Sequence, residues 1–114
     1  MTRNTLPNRR PCVTVKVIWQ TATTAQTFHV SAGFDPATGE LAEVFAADGQ
    51  RSGSDLQAVI TDACVLTSLL LQHGVPLGAI GRSLGREPHM GGTRPASVIG
   101  AIVEALAALA EAAP

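Results

Sequence analysis

A surplus of basic charge is what this sequence most clearly lacks. Its 114 residues hold eight Lys and Arg against nine Asp and Glu, and charged residues make up only 15% of the chain. A protein whose main work is neutralising nucleic-acid phosphates shows an excess of Lys and Arg, so nucleic acid is not an expected partner. Cysteine is nearly as scarce. Cys12 and Cys64, one ahead of a predicted strand and the other inside a predicted helix, build neither a disulfide framework nor a zinc site. Long apolar runs are missing as well. The greasiest stretch, Ala63 to Leu71, falls far short of the ~20 residues of a membrane span. The opening MTRNTLPNRRP has positive charge but no apolar run behind it, so no secretory signal is expected and the cytoplasm is the expected compartment. There is no internal repeat. Disorder is excluded by a 46% hydrophobic content. The length fits one domain able to bury roughly two thirds of its unfolded surface.

The stretch around which the chain is organised runs from Ser54 to Gly74. Ser54-Asp55-Leu56-Gln57 has the Ser-x-x-Gln form of a capping box. Gly74 suits the left-handed position that ends a helix. His73 lies in the last turn, where a cation would suit the helix dipole. Between these caps the circumference is apolar nearly all round, which predicts a core helix covered on several sides. Residues 1–10 read as a flexible N-terminal arm, and residues 11–114 as one α+β domain. Val13–Gln20 and Gln26–Gly33 alternate with a period of two and predict strands. Asp35-Pro36-Ala37-Thr38-Gly39 is a turn. Leu41–Ala46 is a third strand, less clean because Glu43 shares a face with Leu41 and Phe45. After Gly74 the spacing predicts a short helix over Pro76–Leu84, a flexible loop over Gly85–Arg94, and a last helix opened by Pro95 and running from Ala96 to about Ala112. The fold class is therefore α+β: a three-stranded antiparallel meander followed by three helices packed on one face, in the order βββααα.

Candidate chemistry is sparse. Glu43 is the carboxylate of interest. In a strand between Ala42 and Val44 it could serve as an acid or base with His29, or pair structurally with Lys16 or an arginine of the arm. Arg82, Arg86, His89 and Arg94 form a modest basic cluster, with Glu87 inside it. Together with Arg9 and Arg10 they are the candidate residues for a phosphate or nucleotide near a helix start at Pro95. His29, His73 and Cys64 show no metal-ligand spacing. Ser68, His73 and Asp62 can be assembled into a triad only on paper, because nothing places Ser68 on a strained elbow. No catalytic residue, metal or cofactor is expected. The core helix, apolar nearly all round yet only partly coverable by one sheet and two further helices, predicts a homodimer together with the wide apolar stripe of the last helix, from Ile99 through Leu109, and the open sheet face.

Four stretches resemble a known family. Leu6-Pro7-Asn8-Arg9-Arg10, Gly39-Glu40-Leu41-Ala42-Glu43-Val44-Phe45, Gly53-Ser54 and Leu70-Leu71-Gln72-His73-Gly74-Val75-Pro76 are similar, in order and spacing, to the TSCPD domain. That domain occurs near the C-terminus of adenosylcobalamin-dependent ribonucleotide reductases and as small free-standing bacterial proteins. The resemblance spans about residues 6–106. It implies a strand meander followed by a long helix with a Gly turn, and an accessory module of a reductase or a relative of one, binding a nucleotide or a metal. This chain has no Thr-Ser-Cys-Pro-Asp run and no cysteine cluster, so no metal role is carried over. A chain of 114 residues is also too short for the reductase barrel and its cysteines. The expectation is a small non-catalytic module that docks on a partner related to the reductase. The alternatives are a nucleotide- or phosphate-binding regulatory domain and, more weakly, a small enzyme around Glu43 and His29.

Overall fold

The computed structural model describes residues 11–20, 23, 25–48 and 55–112. Three strands come first: β1 (Cys12–Gln20), β2 (Ala25–Phe34) and β3 (Leu41–Asp48). They pair antiparallel in the order β1-β2-β3, with Val17 opposite Phe28 and Val30 opposite Ala46. The period of two does what the sequence leads one to expect. Val17, Phe28, Val30, Ala32, Val44 and Ala46 point to one face and are buried, while Lys16, Ile18, His29 and Phe45 are exposed on the other. The turn between β2 and β3 is held by Asp35. Its carboxylate accepts from the N–H of Ala37 (2.9 Å) and its carbonyl from Gly39 (2.7 Å), which takes the left-handed φ of +76°. One detail departs from simple alternation. Gly33 pairs with Glu43, but Phe34 pairs with Leu41, so Ala42 is an extra residue in β3. This bulge re-phases the strand, and Leu41 packs on the core instead of sharing the outer face with Glu43 and Phe45.

The helices follow: α1 (Asp55–Gln72), α2 (Leu77–Ser83) and α3 (Val98–Ala112). Together they make the three-stranded sheet with three helices that the pattern predicts. α1 ends in a Schellman arrangement. Val75 N–H donates to Leu70 C=O and Gly74 N–H to Leu71 C=O, both at 3.0 Å, with Gly74 at φ +91°. Ser54 lies outside the described residues. The Gln57 side-chain amide donates to Ala46 C=O (3.1 Å) and Thr61 Oγ1 (3.0 Å). Pro76 sits at the N-cap of α2 instead of inside its first turn. The stripe on α3 faces inward: Val98, Ile102, Val103 and Leu106 are buried, Ile99 is half-buried and Leu109 is exposed.

The segment expected to be a flexible loop is a hairpin. β4 (Arg86–His89) and β5 (Gly92–Pro95) pair antiparallel as a separate two-stranded sheet. Met90 (φ +46°) and Gly91 (φ +82°) form its two-residue turn, with the positive φ at both positions that a type I′ turn requires. Pro95 therefore ends a strand, and α3 starts three residues later, with Ser97 Oγ accepting from the N–H of Gly100 (3.1 Å). Arg86 joins the hairpin to α3 through Glu104 (2.8 Å).

Candidate functional site

α1 lies along β3, and its side chains close the edge that β3 turns away from β2. Gln72 Nε2 donates to Ala42 C=O at 3.0 Å. Ser68 Oγ accepts from Val44 N–H at 2.9 Å, and its one hydrogen is offered between Val44 C=O (3.1 Å) and Cys64 C=O (2.8 Å). Gln57 takes Ala46 C=O, and the N–H of Ala46 is directed at the Cys64 thiol. Burial pushes that thiol up to about 11, and the Ala46 N–H offsets only part of the rise. Gln57, Cys64, Ser68 and Gln72 thus satisfy an edge that would otherwise be open to another strand.

With these residues turned inward, the opposite side of α1 is left to solvent, and apart from Asp62 it is largely apolar. Val59 is 65% exposed, Leu66 62%, Val65 52% and Leu70 44%. A surface helix normally turns its polar residues outward, and α1 does the reverse. This corrects the expectation of a helix covered on several sides. The polar residues that the sequence scatters round the helix are taken up by the β3 edge, so the greasy side is the one left open. Of the three apolar surfaces from which the sequence predicts a dimer, the α3 stripe is largely buried, while α1 and the outer sheet face, with Ile18 and Phe45, remain exposed.

A second feature is a cleft of about 340 Å³ between α2, α3 and the hairpin. Gly78, Gly81 and Gly100 line it, and Arg82 and Arg86 stand at its rim. The glycines keep it open: a Cβ on Gly100 would come within 3.2 Å of Pro95 Cβ, and one on Gly81 within 3.3 Å of Val103 Cγ1. Arg86 is committed to its neighbours. Its Nη1 bonds Glu104 (2.8 Å), Nε bonds Thr93 Oγ1 (2.7 Å) and Nη2 bonds Thr93 C=O (3.1 Å). Arg94 and His89 are on the other face of the hairpin, Arg94 bonding Glu87 at 2.7 Å with His89 Nδ1 3.4 Å away. They line a hollow of about 150 Å³ beside Trp19, whose buried Nε1 has no partner among the described residues. The structure therefore divides the basic cluster in two, and Arg9 and Arg10 lie outside the described residues.

A family model for the TSCPD domain matches residues 2–110. The chain belongs to the TSCPD domain family. No curated protein and no solved structure matches it. In this TSCPD domain Glu43 and His29 share the outer sheet face but are not brought together. The register puts Glu43 beside Gly33, four residues along β2 from His29, which is ~13 Å. A proton cannot pass directly between them. Lys16 pairs with His29 from β1, one strand further from Glu43, so the Lys16–Glu43 pairing considered from sequence is not formed. Ser68 is buried against β3 while Asp62 is exposed on the opposite side of α1, which dismantles the paper triad. Among the described residues, no group of three or more His, Cys, Asp or Glu side chains is gathered where it could hold a metal. No helix among them is long and apolar enough to cross a membrane. The sequence leaves part of α1 uncovered without saying which side, and the structure shows it to be the side of Val59, Leu66 and Leu70. Their signal was present: the same helix carries Gln57, Ser68 and Gln72 on the side opposite to Val59, Leu66 and Leu70, with Val65 at the border between the two.

Proposed function

We propose that this TSCPD domain is a non-catalytic interaction module that docks on a protein through the solvent side of α1. The observation that carries the reading is the polarity of α1, with Val59, Leu66 and Leu70 exposed together while Gln57, Ser68 and Gln72 are bonded inward. Exposed apolar surface in one contiguous patch is what a partner removes from water. The resemblance to a reductase-associated domain agrees with an accessory role. A photo-crosslinking amino acid in place of Leu66 tests it in cells producing the protein. The expected result is one discrete adduct, absent when the crosslinker replaces Lys16 on the sheet's outer face and lost with Val59→Glu. No adduct at position 66 would overturn the reading.

A second reading is a nucleotide- or phosphate-binding regulatory domain at the glycine-lined cleft, favoured by the exposed Arg82 at its rim. It is the weaker of the two because Arg86 is already bonded to Glu104 and Thr93, leaving one arginine for a multiply charged ligand. Thermal shift against nucleotides decides it. A ligand at a hundredfold excess over its Kd stabilises by ~2.7 kcal/mol, and Arg82→Ala should abolish that shift.

A further inference from the structure

Among the described side chains, Asp62 on the solvent side of α1 and His73, the residue that follows the helix, are ionisable, and their positions point to the partner. Positions 59, 62, 66, 69 and 73 follow one another at spacings of three, four, three and four, which is the seam of a heptad. Val59, Leu66 and Leu69 are its apolar members, with Val65 and Leu70 alongside. Asp62 and His73 are eleven residues apart. At 100° per residue they fall within about 20° of one line along the helix, and ~16 Å apart on it.

We propose that the partner of this face is a second copy of the chain, packed α1 against α1 in antiparallel two-fold symmetry with Asp62 of each copy opposite His73 of the other. The proposal rests on the reading of α1 as the association face. The register follows from charge. An antiparallel seam can be aligned in steps of one heptad. The alignment one step shorter sets Asp62 against Leu66 of the second copy, burying a carboxylate without a partner. The alignment that sets Leu66 against Leu69 brings Asp62 to His73 on both sides of the axis and Val59 to Pro76. In it each seam carboxylate meets an imidazole N–H, and the two-fold makes the match twice from one pair of residues. A surface that supplies both halves of its own polar match is complementary to itself. The antiparallel arrangement also opposes the two helix dipoles.

The test uses the full chain. Sedimentation at micromolar to 100 µM concentration should give twice the 11.7 kDa chain mass. Asp62→Arg and His73→Glu should each weaken self-association at least tenfold, and the double variant should recover most of the loss, with circular dichroism unchanged throughout. In a Cys12→Ser background, a mixture of Asp62→Cys and His73→Cys chains should form a disulfide-linked dimer under mild oxidation, and neither variant should do so alone. A mass that stays at 11.7 kDa at every concentration overturns the proposal. If position 66 still crosslinks to a different protein, the docking reading survives and only the identity of the partner falls. A dimer indifferent to the charge changes, or one that links 62 to 62, overturns the register.

Discussion

Ser68 and Cys64, one turn apart on α1, show how single side chains set the chemistry of this domain. Ser68 would read from sequence as a stray hydroxyl in a greasy helix, but it serves both backbone groups of Val44. Cys64 is a buried thiol with a raised titration point, and its cost appears only in alkali. The unfolded thiol ionises near 9, while the folded one holds its proton to about 11. Below 9 both states are protonated and nothing is lost. From about 9 to 11 the unfolded state sheds a proton that the folded state keeps, so stability falls by ~2–3 kcal/mol across that window and levels off above it. The chain has no tyrosine, so no phenol titrates in the same range. Urea unfolding at steps between pH 8 and 11 should show this decline, and Cys64→Ala should flatten it while lowering stability at every pH through the cavity it leaves. A decline of equal size in Cys64→Ala would assign it to another group.

Among the elements, the hairpin divides what the sequence disclosed from what it did not. The meander, α1, α2 and α3 were legible because each is long enough to show its period: Val15, Val17 and Trp19 alternate, and Ile99, Ile102, Val103 and Leu106 recur at helical spacing. β4 and β5 have four residues each, include Pro88 and Pro95, and present no alternation. Their turn uses Met-Gly where a type I′ hairpin favours Asn-Gly, so the usual marker was missing. The candidate site was hidden for a different reason. Burial of one side of α1 depends on hydrogen bonds from Gln57, Ser68 and Gln72 to a strand that the sequence does not place beside them. The division of the basic cluster likewise follows from hairpin alternation, which sends Arg86 one way and Arg94 the other. The turn also yields a prediction. Met90 holds φ +46° with 92% of its surface exposed, so it contributes little packing to offset an unfavourable backbone. Met90→Asn should raise stability by ~0.5–1 kcal/mol, and Gly91→Ala, at φ +82°, should lower it by about 1 kcal/mol or more. Chemical denaturation with unchanged slope measures both, and a loss of stability in Met90→Asn would mean that the methionine has a contact worth more than its strain.

For the molecule as a whole, the decisive feature is that α1 is fastened to β3 by side chains. Replacing Ser68 and Gln72 together by alanine leaves the N–H and C=O of Val44 and the C=O of Ala42 without partners under the helix. At ~1–3 kcal/mol for each buried group stranded, the loss is a large fraction of a small domain's stability. The double variant should unfold at markedly lower urea, and near its midpoint it should gain the thioflavin-positive, strand-paired aggregates that the parent does not form. A clear drop in stability without such aggregates would mean that the edge stays covered by packing alone. The intact fastening gives the sheet a polarity of growth. One end is sealed by a helix, and β1 at the other end has no further strand beyond it among the described residues. Strand pairing cannot extend this sheet past β3, so growth through the sheet has no outlet at that end.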